Sequence, residues 1–381
     1  MRVVFTPHAY EPALGGAEYH TRRLAEGLAT RGHDVHVVVP NVSDAEAWYE
    51  WGHARGGPAL EILGGATVHR IPYLPGRWNL LDRIGDEASR IERARRRYNR
   101  HLRSALEPLS PDAIVTLPHA FPNVAATMAL RPGASWKAIY APLLHEEDPS
   151  WAMEPITGAV AGADGVIALT SHERDRLVAS YGADPERTIV LPPGVDLPAG
   201  EPQEQRDPIV LFLGRRTASK RLDVLYAAMR VVWQSVPETR FVVAGPPPAR
   251  GEDPATAMAG EPRVEVIGRV DDRQRARLIG SARVLASASI IEAFGLTTLE
   301  AWAHATPVVV ADSPVRRSVV RHDLDGLIAP GHAVGLAEAI TALLTDPARA
   351  RTMGEAGRRR VESDFRWPDI VKHLDDFLQD L

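Results

Sequence analysis

Short β-branched runs alternate with helical patterns along almost the whole chain, and midway the alternation begins again. Arg2–Phe5, Asp34–Val39, Ala113–Thr116, Ala138–Tyr140, Gly165–Leu169 and Thr188–Leu191 read as strands. The stretches between them, such as Ala17–Arg31 with Leu24 and Leu28 on one face, read as helices. A second series follows: Pro208–Leu213, Arg240–Ala244, Val264–Ile267, Arg283–Ala286 and Pro307–Val310, again with helices between. A helix between two strands returns the chain to where it started, so the pairing it permits is parallel. Two such series predict two doubly wound parallel-sheet domains, which suits 381 residues at roughly 100–200 per domain.

Pro192-Pro193-Gly194-Val195-Asp196 and the polar, breaker-rich Leu197–Pro208 separate the two series and read as a linker. The segments Asn41–Gly65 and Pro246–Gly260 read as long loops of the kind that carry function. Composition then narrows the chemistry. The chain has no cysteine, which removes disulfides, thiol nucleophiles, iron–sulfur clusters and Cys-type zinc sites. Its formal charge of −5 argues against a nucleic-acid binder driven by bulk charge. No run reaches the roughly 18–20 apolar residues of a membrane span, and Met1–Phe5 enters a strand rather than a signal peptide, so a cytoplasmic location is expected. Only three of the 44 basic residues are lysine: Lys137, Lys220 and Lys372.

Paired doubly wound domains are expected to bind a ligand at the carboxyl ends of their strands. Gly15-Gly16 follows the first strand and precedes a helix, where backbone N–H groups can approach an anion. Paired glycines also occur in plain turns. No G-x-G-x-x-G follows this strand, which counts against a nicotinamide enzyme. The second series opens with Ile209–Leu213 and then Gly214-Arg215-Arg216-Thr217-Ala218-Ser219-Lys220-Arg221. Cations in a strand-to-helix loop can neutralise a departing phosphate, although a solvated basic loop has the same look. In Ile290–Ala303, Glu292 precedes a helix that Gly295 opens, and Glu300 lies inside it. The pair spells Glu-x7-Glu, common by itself, but a carboxylate ahead of a glycine-opened helix invites a polar ligand.

Taken together, Glu292–Glu300, the Gly214-Arg215…Lys220 loop, Gly15-Gly16 and Pro192–Asp196 resemble retaining GT-B glycosyltransferases of the family 4 type, the glycosyl transferases group 1. The resemblance covers nearly the whole chain and implies α/β architecture with two Rossmann-like domains facing a central cleft. The acceptor-binding domain would be 1–193, with a closing helix at 366–381 packed back on it, and the donor domain would be 194–365. The implied activity is retaining, metal-independent transfer of a hexosyl-like unit from a nucleoside-diphosphate sugar to a small molecule, glycan or lipid-linked acceptor. No cofactor is implied beyond that co-substrate, expected to be a UDP- or GDP-sugar. By resemblance, Arg215 and Lys220 grip the diphosphate, Glu300 holds the ribose and Glu292 meets the transferred sugar. The backbone of Phe294, Gly295, Leu296, Thr297 and Thr298 would bind phosphate and sugar oxygens. Gly15 and Gly16 would lie over the diphosphate, and Gly268-Arg269-Val270 beside the nucleobase. His119, at the end of Asp112–His119, matches the family's active-site histidine, and His145 a second position on the acceptor side.

Some features depart from that pattern. Prolines 246–248 stand where the family has a glycine-rich turn. Asp323-Leu324-Asp325 spells a D-x-D, which metal-binding transferases of another fold use; here it falls in the loop Val320–Leu327 and reads as a turn. Arg83–Leu106 lines up Ile84, Ala88, Ile91, Ala94, Tyr98, Leu102 and Ala105 against a face rich in arginine. Some relatives lay such a helix on anionic lipid. A stripe without Trp or Phe fits better a helix that covers the sheet with its arginines solvated, leaving weak peripheral membrane contact as the lesser reading. Two rival functions share the fold: a pseudo-glycosyltransferase acting on a non-sugar cyclitol, and a non-catalytic sugar-nucleotide binder. A phosphorylase-like enzyme would need a pyridoxal-binding lysine, for which Lys220 is the one central candidate.

Overall fold

A computed structural model describes residues 1–13, 15–42, 58–72, 87–119, 122–145, 156–200, 202–203, 205–248 and 251–381, with side chains of the helix at 87–106 described from residue 96 onward. The chain divides into two units, Met1–Leu191 with Ile370–Leu381, and Pro192–Asp369.

Among the described residues, unit 1 is built on eight strands: β1 (Arg2–Pro7), β2 (Asp34–Pro40), β3 (Leu60–Leu63), β4 (Ala66–Ile71), β5 (Ala113–Leu117), β6 (Lys137–Tyr140), β7 (Gly165–Ala168) and β8 (Thr188–Val190). Its helices are α1 (Gly16–Thr30), α2 (Glu87–Leu106), α3 (Pro122–Ala129), α4 (Ile156–Gly162) and α5 (Ser171–Tyr181). The sheet order is β3-β4-β2-β1-β5-β6-β7-β8. All pairings are parallel except β3 with β4, which corrects the expectation of a wholly parallel sheet. This hairpin lies within and just beyond the segment read as a loop. Gly64 and Gly65, both at positive φ, form its two-residue turn, a conformation only glycine adopts cheaply.

Unit 2 contains β9 (Asp207–Leu213), β10 (Arg240–Ala244), β11 (Val264–Ile267), β12 (Ala282–Ser287), β13 (Val308–Ala311) and β14 (Gly326–Ala329). Its helices are α6 (Leu222–Ser235), α7 (Asp272–Ser281), α8 (Leu296–Ala303), α9 (Pro314–Val319), α10 (Ala333–Thr345) and α11 (Pro347–Asp364). The six strands run in the order β11-β10-β9-β12-β13-β14, all parallel. The turn expected at Val320–Leu327 ends sooner, because its last two residues, Gly326 and Leu327, already belong to β14. The core of this unit packs α6 and α10 against the sheet through Leu225, Met229, Val232, Leu336, Ile340 and Leu343.

Part of the linker is ordered by pairing. Val195 N–H donates to Phe365 at 2.8 Å, and Gly194 lies so close to Trp367 that a Cβ would come within 2.7 Å of its ring. The last helix, α12 (Trp367–Asp380), begins in unit 2 and ends in unit 1. In unit 1 it buries Ile370, Val371, Leu374, Phe377 and Leu378, each stabilising by about 1.5–3 kcal/mol relative to exposure. Gly27 and Gly165 make room for Val371 and Phe377. Asp375 fixes the helix by accepting from Arg31 at 2.6 Å and by contact with His33 at 2.9 Å. Tyr98, Leu102 and Leu106 of α2 are buried on the sheet while Arg96, Arg100 and Arg103 are exposed. The remainder of the expected stripe, at Ile84, Ala88, Ile91 and Ala94, lies outside the described side chains.

Candidate active site

In each sheet the order of the parallel strands reverses once, and a doubly wound sheet binds ligands at such a point, where the flanking loops diverge. In unit 2 the reversal falls between β9 and β12. The loop after β9 is shaped by close backbone packing. Gly214 N–H donates to Ala244 at 3.0 Å, and a Cβ on Gly245 would strike the Gly214 carbonyl at 2.0 Å. Glycine at 245 therefore keeps the tight turn despite the three prolines that follow. Arg216 turns inward. Its backbone N–H donates to Pro246 at 3.0 Å, and its guanidinium bonds the Gly245 carbonyl and both oxygens of Asp253. Those bonds hold the Asp253 carboxyl below the usual carboxylate range. Arg216 is thus a clamp between two loops, whereas Arg215 is exposed.

Lys220 reaches across the reversal. Its Nζ lies 2.6 Å from Oε1 of Glu292, on the loop after β12. The same oxygen stands 3.5 Å from Nη2 of Arg316, a fully buried residue of α9. Arg316 also donates to Thr298 Oγ1 at 3.1 Å, to the Phe294 carbonyl at 3.4 Å and to Ser287 Oγ at 3.3 Å. It therefore joins the end of β12, the Glu292 loop and the first turn of α8. Gly295 opens that helix at φ +92, and a Cβ there would meet Arg316 Nη1 at 1.9 Å. Both backbone and space demand glycine. The helix spans Leu296–Ala303, with Gly295 as its N-cap. Glu300, in its interior, faces Arg275 of α7 at 3.3 Å. Burial pushes the Glu300 carboxyl up, and Arg275 opposes that shift. Gly268, whose carbonyl accepts from Gly245 N–H at 3.0 Å, carries Arg269 and Val270 to the end of β11, with Gly268 and Arg269 exposed.

In unit 1 the reversal lies between β1 and β5. Asn123 ties the two strand ends together by donating to Thr6 at 2.7 Å and to Leu117 at 2.8 Å. His119 follows β5 and is buried, with Nδ1 at 2.6 Å from the Tyr140 hydroxyl. Burial pushes that hydroxyl's pKa well up, so Tyr140 remains a neutral hydrogen-bonding group. His145 sits beyond β6, and its Nδ1 bonds the Leu143 carbonyl at 2.8 Å. That contact leaves Nε2 as the acceptor of the neutral ring. Gly15 and Gly16 begin α1, and a Cβ on Gly15 would lie 2.2 Å from Oε2 of Glu18. The carboxylate at this helix start is thus the chain's own, and it meets His8 at 3.0 Å with both side chains buried. His20, one turn on, is held neutral, its pKa lowered to about 4 by burial.

Asp323-Leu324-Asp325 is a turn. Asp323 takes φ +63, and the buried Asp325 carboxylate is occupied by Arg321 at 2.6 Å and Arg360 at 3.2 Å. Among the described residues no group of His, Asp or Glu is arranged to hold a metal, and no helix is long and apolar enough to cross a membrane. Nothing in the local sequence singles out Arg216, Arg316, Tyr140 or the His8–Glu18 pair. A buried arginine and a solvated one look alike there.

Residues 14–198 match the family described as Glycosyltransferase Family 4, and residues 197–360 match Glycosyl transferases group 1. The D-inositol 3-phosphate glycosyltransferase of Xylanimonas cellulosilytica is 34% identical over 56% of this chain and 56% of its own length. The match to relatives of that name thus spans about half their length. The alpha-maltose-1-phosphate synthase of Mycolicibacterium smegmatis is 28% identical over 98% of this chain and 97% of its own. In fold, the chain is similar to sucrose-phosphate synthase from Thermosynechococcus elongatus (TM-score 0.77, 20% identity, 100% and 99% coverage). It is also similar to Anabaena HepE in complex with UDP and glucose (TM-score 0.73, 19% identity, 100% and 99% coverage). The chain belongs to the glycosyl transferases group 1 and has the GT-B fold.

Proposed function

We propose that the protein transfers a sugar from a nucleoside-diphosphate donor to an acceptor nucleophile with retention at the anomeric carbon. One observation carries this reading: Lys220 and Glu292, from loops on opposite sides of the unit 2 reversal, meet at 2.6 Å ahead of the glycine-opened helix α8. A diphosphate leaving group needs fixed positive charge where its own charge grows, and Lys220, Arg215 and the first-turn N–H groups of α8 supply it. With that charge supplied by the protein, no metal ion is required. Glu300 would take the ribose hydroxyls and Glu292 the hydroxyls of the sugar. Gly268-Arg269-Val270 would border the base, and Gly15-Gly16 the phosphates. His119, its ring orientation set by Tyr140, would contact the reacting sugar, and His145 the acceptor.

Glu292 is engaged by two cations, which makes it a poor nucleophile for double displacement. Same-face attack, with the departing phosphate oxygen taking the acceptor's proton, fits better. The names of the relatives and the UDP and glucose held by HepE support a nucleotide-sugar donor, UDP- or GDP-linked in our reading. The test is incubation with UDP-glucose or GDP-mannose, with inositol 3-phosphate among the acceptors and EDTA in parallel. Release of nucleoside diphosphate and an α-linked product by proton NMR, undiminished by EDTA, are expected. An inverted product would overturn the retaining mechanism, and loss of turnover with EDTA would overturn metal independence.

A further inference from the structure

Glu292 faces a difficulty if the proposed function holds, because its closest cation is also the one expected to bind the diphosphate. In the structure Lys220 Nζ rests on Glu292 Oε1 at 2.6 Å. When a donor enters, Lys220 must turn toward phosphate oxygens. Glu292, with a side chain only 13% exposed, would then lose its nearest partner inside a partly desolvated site. A carboxylate in that position takes up a proton or rotates away, and either outcome spoils its contact with the sugar.

Arg316 meets this need. It is fully buried, keeps its own contact to Glu292 Oε1 at 3.5 Å, and lies behind the loop, on the Phe294 carbonyl and Thr298 of α8. Its guanidinium cannot follow the phosphate outward, because Ser287, Phe294, Thr298 and Gly295 surround it. Glu292 is the carboxylate that faces it, and Gly295 lacks a Cβ where Arg316 needs the room. We propose that Arg316 is a positioning residue: it holds Glu292 ionised and aimed at the sugar while Lys220 is drawn to the diphosphate. This rests on the roles of Lys220 and Glu292 given above.

The test is a double-mutant cycle on the full-length chain with Arg316→Met, Glu292→Gln and the pair, measuring hydrolysis or transfer of UDP-glucose or GDP-mannose together with binding of UDP or GDP. Arg316→Met should lower kcat ~10²-fold while nucleotide affinity stays within about threefold, a split that a general loss of structure does not produce. In the Glu292→Gln background the same change should cost less than about threefold more, because the two residues act as one unit. Arg316→Lys, which keeps the positive charge and replaces Arg316→Met in the cycle should that variant not fold, should recover at least about a tenth of the activity. Full additivity of the two changes, or equal loss of nucleotide binding and turnover, would overturn the role of Arg316 and leave the transferase reading intact. Full turnover by Glu292→Gln would instead remove the role of Glu292, and that of Arg316 with it.

Discussion

The two strand-order reversals have the same topology and opposite chemistry. In unit 2 the loops flanking the reversal bring formal charges together: Lys220, Glu292 and the buried Arg316. In unit 1 the group beyond β5 is a buried imidazole bonded to a neutral hydroxyl, His119 with Tyr140, and the acid at the start of α1 is matched by His8. A region that must hold a diphosphate needs permanent charge, whereas one that must receive a neutral hydroxyl needs shape and a poised ring. On this account the shared fold supplies two platforms, and the side chains decide which half of a transfer reaction each serves.

That contrast breaks most visibly at Lys220. Lys220→Ala should lower donor turnover up to ~10³-fold, as loss of a preorganised charge does, with the melting temperature nearly unchanged. A loss below about threefold would remove the charge-based reading of unit 2.

In unit 1 burial also holds His20 uncharged, its pKa lying at about 4 in the fold against 6.5 unfolded. The unfolded chain binds the extra proton first, so stability is complete above pH 6.5 and falls as pH drops toward 4. The loss amounts to ~3 kcal/mol at most from this one group. Denaturant melts across that window should show a shallower acid slope for His20→Gln than for wild type, and an identical slope would contradict the assignment.

His119→Ala should reduce transfer ~10²-fold without weakening nucleoside diphosphate binding, and Tyr140→Phe about tenfold, since it only orients the ring. Loss of nucleotide binding in either variant would erase the division of labour between the units.

The smallest effect concerns backbone. Gly295→Ala should destabilise by ~1–3 kcal/mol, because its φ of +92 is strained for alanine and Arg316 occupies the Cβ position. Gly32, at φ +90 with nothing within 4 Å, should cost only about 1 kcal/mol on the same change. Equal thermal shifts for the two would show that Arg316 yields its place.

Much of this molecule can be read from local sequence, for a physical reason. Buried parallel strands are short continuous apolar runs, and β1, β2, β5, β9, β10 and β13 stand out as such. The β3–β4 hairpin does not, because Leu60 and Ile62 leave one face exposed and the segment resembles a loop. β14 has only four residues directly after a turn. Within the site, Lys220 and Glu292 could be singled out because glycines and strand ends place them at the reversal. Arg316 could not. It stands beside Arg317, whose side chain is 66% exposed, and only tertiary packing tells the two apart. The same holds for Arg215 and Arg216, adjacent in sequence, one exposed and the other buried against Asp253.

In the proposed function, unit 2 holds a nucleoside diphosphate through Lys220. Thermal unfolding of wild type, Lys220→Ala and His119→Ala with UDP, GDP, ADP and TDP tests it most directly, since a ligand bound only by the native state raises the melting temperature. One of the four nucleotides should stabilise wild type and His119→Ala alike and lose most of that effect in Lys220→Ala. No shift with any of them, or a shift that survives Lys220→Ala in full, would contradict the account.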